Sequence, residues 1–141
     1  MKYRDLVESA LNGSNQTADY CEIRIEEIDN TRLAYHGNGL DTIAQTSGLG
    51  GNVRAVTNGG WGFASFNSLD GLTTKVSDAV AQSIAVGGSK TEIGKVEANV
   101  EIVPGYIVDD PAKVSLDEKK RLMDHYNDLV WSVGGINSVD I

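Results

Sequence analysis

Apolar residues recur with two different periods near the start of the chain. Over about Lys2 to Leu11 they fall at helical spacing, on a single stripe. From Asp19 to Ile28 the period changes to two. Cys21, Ile23 and Ile25 alternate there with charged residues. The pattern therefore predicts an amphipathic helix followed by a strand that exposes one face to water.

Turn-forming residues divide the next segment into further predicted strands. Asp29-Asn30 and Gly37-Asn38-Gly39 are typical of turns. They predict separate strands over Thr31–His36 and Leu40–Thr46. Connections this short favour antiparallel neighbours, because a parallel pair needs a crossover of a dozen residues or more.

The stretch from Gly48 to Asn67 predicts a β-hairpin. Residues 53–56 and 61–66 are β-patterned, and Asn58-Gly59-Gly60 lies between them. Asn-Gly readily supplies the positive φ angles that a tight hairpin turn requires. With the preceding segments, these two strands complete an expected antiparallel meander of about five strands.

Two further helices are predicted after the hairpin. One spans about Leu69–Val86, carries an apolar stripe and stops at Gly87-Gly88, and it is the natural cover for the meander. The other opens at Ser115–Glu118, which fits a capping box. Its apolar stripe consists of Leu122, Tyr126, Leu129, Val130 and Val133. The predicted fold class is therefore α+β, with the meander covered by two or three helices.

The remaining segments are less regular. Val96 to Val103 is interpreted as another extended piece, and residues 136–141 alternate like the start of a strand. A strand that begins there has no partner later in the sequence. We therefore expect residues 1–141 to be one domain truncated from a longer chain, with 136–141 starting the next strand or domain. A tail that pairs with an earlier strand is the alternative.

Charge and composition exclude several classes of function. The 141 residues carry a net charge of −8, without the clustered Lys and Arg that phosphate contacts require, so we expect no nucleic-acid partner. A single cysteine precludes an intramolecular disulfide. The N-terminus does not resemble a signal peptide, and no apolar run is long enough to span a bilayer. We expect a cytoplasmic protein with no membrane partner.

The residues suited to metal or nucleophilic chemistry are few and scattered. His36 and His125 fall in different predicted elements, and neither belongs to a two-histidine motif on one helix face. We interpret His36 as solvated at the end of a strand, His125 as a surface residue beside Asp124, and Cys21 as a small core residue. No catalytic, cofactor-binding or metal-binding residue is predicted in this chain.

The segment Trp61-Gly62-Phe63 has two interpretations. Alternation sends Trp61, Phe63 and Ser65 to one face of the strand, and small residues on the other face would let the second helix approach closely. The favoured interpretation is that the aromatic residues are core. The alternative is that an aromatic face beside a strand edge receives an extended peptide by β-augmentation.

Three segments together resemble the N-terminal domain of the TldD/PmbA family, the so-called modulators of DNA gyrase. They are residues 18–24 (ADYCEIR), residues 53–65 (VRAVTNGGWGFAS) and residues 110–119 (DPAKVSLDEK). They occur in the family's order and span nearly the whole chain. One departure is Asn52, which stands where the family usually has Gly before Val-Arg.

The resemblance implies a zinc metallopeptidase that degrades or trims unfolded and leader peptides with a related partner subunit. In that family the zinc-binding His-Glu-x-x-x-His helix lies beyond this domain. This chain would therefore be a non-catalytic N-terminal domain that contributes to substrate-chamber walls and subunit contacts. It would hold no cofactor itself, with zinc expected in the full-length protein. The alternatives are the same domain of a metal-free PmbA/TldE-like partner, and a stand-alone regulatory module.

Overall fold

A computed structural model describes residues 2–12, 17–89, 93–94, 96–97 and 99–141. The elements are α1 Arg4–Asn12, β1 Tyr20–His36, β2 Gly39–Thr57, β3 Gly60–Phe66, α2 Leu72–Val86 and α3 Leu116–Trp131. The strands form one sheet in the order β1-β2-β3. The α+β class is confirmed, with three helices and an antiparallel sheet.

The sheet has three long strands among the described residues, and the expected count of five is not confirmed. The predicted turn at Asp29-Asn30 is wrong, since both residues remain extended within β1. Gly48 to Gly51 likewise lie within β2. A Cβ on Gly51 would lie 2.0 Å from the carbonyl oxygen of Arg24, so this glycine permits close backbone approach and does not form a turn.

The predicted hairpin is confirmed between β2 and β3. Asn58 and Gly59 form its two-residue loop with φ angles of 48° and 81°. The strands then pair antiparallel from Thr57↔Gly60 to Gly51↔Phe66. Two consecutive positive φ angles match the twist of the flanking strands, which explains the Asn-Gly sequence. Asn52 lies in β2, pairs with Ser65 of β3 and does not have a positive φ. The strand therefore accommodates the departure from the family pattern.

The chain divides into two compact units, Met1–Ile28 with Ser47–Glu97 and Asp29–Thr46 with Ala98–Ile141. The first unit contains the apolar core. Its buried members are Ala10, Val53, Ala55, Ala64, Leu72, Val76, Ala79 and Val80. They come from α1, β2, β3 and α2, so the expectation that the second helix covers the sheet is confirmed for β3.

Glycine residues of β3 set the distance between α2 and the sheet. A Cβ on Gly62 would lie 1.8 Å from the carbonyl oxygen of Ala79, and one on Gly60 would lie 2.1 Å from that of Ser83. Real Cβ atoms do not approach backbone atoms this closely. The small residues predicted to face the helix therefore allow backbone to pack directly on backbone.

One polar cluster lies inside this core. The Ser83 hydroxyl donates to the Val80 carbonyl oxygen at 2.7 Å. Because Ser83 has one proton to donate, the Thr57 hydroxyl is the donor in the 2.7 Å contact between Thr57 Oγ1 and Ser83 Oγ. The two hydroxyl groups therefore satisfy each other and the helix in a buried position.

The second unit is held by polar contacts around α3. The Ser115 hydroxyl accepts from the Glu118 amide at 3.2 Å, which confirms that half of the predicted capping box. Tyr35 is buried and donates to the Asp124 carboxylate, and Trp131 Nε1 donates to the Gly37 carbonyl oxygen at 3.1 Å. The apolar stripe predicted for this helix is only partly buried. Leu122, Tyr126, Leu129 and Val133 are each about half exposed.

The last residues pair with an earlier strand. Tyr35 and Ile141 exchange backbone hydrogen bonds of 2.9 and 3.2 Å, and the Gly37 amide donates to the Val139 carbonyl oxygen at 2.9 Å. An antiparallel bridge joins His36 to Asp140. Locally, residues 139–141 therefore form a tail that pairs with an earlier strand, which was the alternative interpretation of this segment. The described residues of 96–103 do not belong to the sheet, so the extended piece expected there adds no strand.

Candidate functional site

His36 forms an exposed polar pair at the end of β1. Its Nδ1 lies 2.7 Å from Asp140 Oδ1. The hydrogen bond to Asp140, and then the charges of Asp140 and Asp41, raise the pKa of His36. An open cleft of about 430 Å³ lies here, lined also by Arg32 and Ile141. The imidazole is solvated as predicted, and one of its ring nitrogens is hydrogen-bonded to a carboxylate.

The other candidates lie apart from this pair in the sequence. His125 lies on α3, with its ring 6.3 Å from that of Tyr126. Cys21 lies on β1 and packs, partly buried, against the core of the first unit, where the sequence placed it. In the part of the chain that the structure describes, no three His, Cys, Asp or Glu side chains form a potential metal site. The described residues therefore do not fit a zinc centre.

Two aromatic residues of β3, Trp61 and Phe63, lie on the face of the strand opposite α2. Trp61 is 47% exposed and Phe63 is 53% exposed, whereas Gly60, Gly62 and Ala64 are buried against the helix. The predicted alternation is therefore confirmed. The favoured interpretation of Trp61 and Phe63 as core residues is wrong, because the core that the described residues form lies on the α2 side.

Charged residues on the neighbouring strands continue this aromatic face. Phe63 pairs directly with Arg54 on β2, and the guanidinium of Arg54 donates to Glu22 on β1. Tyr20 also donates to Glu22. These bonds, that of Tyr20 first, lower the pKa of Glu22. Sequence reasoning missed this network, although the alternating charges of β1 indicate that its wet face carries carboxylates.

The outer edge of β3 is a second feature of the site. In the described ranges β3 has a strand neighbour, β2, on one side only. Because Thr57 and Gly60 close a two-residue loop as a hydrogen-bonded pair, the backbone groups of alternate residues from Gly60 point toward β2. Those of Trp61, Phe63 and Ser65 therefore point outward. A side chain of α2 reaches this edge, since the Phe63 amide lies 3.4 Å from its acceptor, Gln82 Oε1.

A shallow apolar cleft is also present in the first unit. It has a volume of about 280 Å³ and lies beside α2, where Ala10, Val76, Val80 and Ile84 supply most of its apolar wall. It lacks charged lining residues, so its chemistry would suit an apolar group and no particular reaction.

Comparison with known proteins identifies the class. Residues 21–85 match the family model PmbA/TldA metallopeptidase domain 1. The metalloprotease slr0863 of Synechocystis is 33% identical over 114 residues, which cover 80% of this chain and 25% of that protein. The resemblance noted in the sequence is confirmed, since residues 21–85 match the first domain of the PmbA/TldD family. The chain spans about a quarter of this relative's length.

Solved structures agree in fold. TM0727 of Thermotoga maritima, named as a modulator of a DNA gyrase, superimposes with a TM-score of 0.61 at 15% identity, covering 86% of this chain and 28% of its own. TldE of Thermococcus kodakarensis gives 0.60 at 14% identity, covering 88% and 30%. At these identities the likeness concerns the fold alone. Among the described helices, none combines the length and apolar character needed to cross a membrane.

Proposed function

We propose that this chain is the non-catalytic N-terminal domain of a TldD-like zinc metallopeptidase that proteolyses unfolded or leader peptides. Its role would be to form part of the substrate-chamber wall and to contact a related subunit. The observation that carries this proposal is the match of residues 21–85 to the first domain of a metallopeptidase family. The relative named as a metalloprotease, of which this chain covers a quarter, adds support.

The proposal places zinc outside this domain. The whole sequence contains only His36 and His125, so it has no His-Glu-x-x-x-His motif. Zinc in a catalytic site needs about three protein ligands with an open position for water. Those ligands would come from polypeptide that follows this domain in the full-length protein.

A related family subunit is the proposed partner. TldE, a family member with its own solved structure, shares this fold. The exposed apolar residues of α3 supply surface for such a contact. The net charge of −8 favours protein partners over nucleic acid, and we propose a cytoplasmic location away from membranes.

The direct test compares the full-length protein with residues 1–141. Each is purified, assayed for zinc by atomic emission, and incubated with an unfolded protein such as reduced casein, with and without a zinc chelator. We expect chelator-sensitive hydrolysis and bound zinc in the full-length protein, and neither in residues 1–141. Hydrolysis or stoichiometric zinc in residues 1–141 would contradict the non-catalytic assignment.

Two alternatives remain in view, and the sequence after Ile141 separates them from the main proposal. A His-Glu-x-x-x-His motif there supports a TldD-like peptidase. A long continuation without that motif supports a PmbA/TldE-like partner subunit. A stop codon supports a stand-alone regulatory module.

A further inference from the structure

The outer edge of β3 presents backbone groups that can receive another strand. The outward amides and carbonyls are those of Trp61, Phe63 and Ser65, since the alternate residues pair with β2. Edge strands usually need protection, because such a row is a template for further pairing. Here the protection that the structure describes is the weak contact from Gln82 to the Phe63 amide.

The side chains along this edge define what an added strand would carry. Trp61 and Phe63 lie on one face about 7 Å apart, the spacing of alternate residues in a strand. They would contact large apolar side chains at alternate positions of a neighbour. On the other face, Gly60 and Gly62 pack against the α2 backbone, so no side chain extends from these two positions.

Charge completes the description of the ligand. Asp78 is exposed and lies one helical turn before Gln82 on the same face of α2. No ion pair is recorded for Asp78 within the described residues, and the whole chain carries a charge of −8. A neighbouring strand would therefore be favoured by Lys or Arg at the positions that point toward α2.

We propose that this edge binds an extended peptide by β-augmentation, the peptide having apolar residues at alternate positions and basic residues between them. Backbone hydrogen bonds would supply affinity, and Trp61, Phe63 and Asp78 would supply preference. The proposal does not depend on zinc or on peptide hydrolysis, and the bound peptide need not be a substrate.

The test uses residues 1–141 and a fluorescent peptide of sequence Thr-Val-Lys-Val-Lys-Phe-Thr. Fluorescence anisotropy measures affinity, and ¹⁵N-resolved NMR with hydrogen exchange locates the contact. We expect the amides of Trp61, Phe63 and Ser65 to shift and to gain protection. Matched peptides N-methylated at every second amide, in both registers, keep the side chains. At least one of them should lose binding, because β-augmentation requires its backbone donors.

Substitutions localise the site further. Trp61→Ala should weaken binding about tenfold, the effect of losing an aromatic anchor. Tyr106→Ala removes another exposed aromatic residue, from the second unit, and should leave binding unchanged. Ser65→Pro removes one outward donor at an edge position that tolerates proline, and should also weaken binding. Circular dichroism checks that each variant is folded. If Ser65→Pro does not fold, Phe63→Ala takes its place.

Several results would overturn the proposal. They are absence of shifts at these amides at millimolar peptide, undiminished binding of both N-methylated peptides, and perturbation centred on other elements. Concentration-dependent protection of the same edge without peptide would also overturn it, because a second copy of the chain would then be the occupant. Zinc content and casein hydrolysis test the proposed function separately, so either idea can fail alone.

Discussion

Each of the two units of this chain is stabilised internally by a different kind of contact. In the first unit, Val53, Ala55 and Ala79 are completely buried and the α2 backbone lies directly on β3. In the second, the recorded contacts are mainly polar: Tyr35 with Asp124, Lys120 with Asp124, and Trp131 with Gly37. Equal helix-forming signals therefore lead to a packed layer in one unit and an open apolar surface in the other.

The difference shows that amphipathic spacing predicts which face of a helix is apolar, but not whether another element packs against that face. α2 and α3 both carry an apolar stripe at helical period. The stripe of α2 is buried, whereas Leu129 on α3 is 51% exposed. Close packing in the first unit depends on glycines of β3. In the described part of the second unit, no such glycine-bearing strand packs against α3.

The same substitution in the two helices tests this contrast most directly. Leu72→Ala removes a side chain that is 2% exposed, so we expect the free energy of unfolding to fall by about 3 kcal/mol. Leu129→Ala removes one that is half exposed and should cost less than about 1 kcal/mol. Urea titrations of both variants provide the measurement. Equal losses would show that α3 is as well packed as α2.

Glycine at position 62 is the next test. Its Cβ would lie 1.8 Å from the Ala79 carbonyl oxygen and 2.6 Å from the Ser83 amide nitrogen. Since backbone cannot rotate away as a side chain can, Gly62→Ala should destabilise the protein by about 2 to 3 kcal/mol. Gly48→Ala is the matched control, because no atom lies within 4 Å of its Cβ position. A neutral Gly62→Ala would contradict the close approach of α2.

The buried hydroxyl pair gives a smaller effect. Ser83→Ala leaves the Thr57 hydroxyl without its acceptor in a buried position, which should cost about 1 to 2 kcal/mol. Adding Thr57→Val removes the stranded donor and should restore part of the loss. Thermal unfolding of the two single variants and the double variant forms the cycle. Strict additivity would show that the two hydroxyl groups do not interact.

The smallest effect concerns pH and the second unit. Asp140 raises the pKa of His36 above its ordinary value of 6.5. Because the folded value exceeds the unfolded one, the stabilisation is complete below about pH 6.5 and disappears as pH rises through the raised pKa. Exchange of the Tyr35 and Ile141 amides should therefore show faster local opening above that range. His36→Gln should remove the pH dependence, and its persistence would assign the effect to another group.

Much of the first unit could be predicted from local chemistry. Asn58-Gly59 readily adopts the two positive φ angles of a hairpin turn, and alternation in β3 separates Gly60 and Gly62 from Trp61 and Phe63. Asp29-Asn30 misled because residues that favour turns can remain extended when a paired strand continues through them. Local propensity lost there to tertiary pairing.

The candidate site was less accessible to sequence reasoning. The faces of Trp61 and Phe63 could be assigned, but which face is covered depends on where α2 packs. The bond from Arg54 to Glu22 spans 32 positions and that from Tyr35 to Asp124 spans 89. No local pattern contains such pairs, since they follow from the arrangement of the strands and of α3.

The contact between Gly62 and Ala79 has a mechanical consequence. With no side chain as a cushion, the helix cannot roll or slide across the strand without atomic collision. We therefore expect β3 and α2 to move together as one rigid body. A displacement of the outer edge of β3 should therefore move the whole of α2 with it.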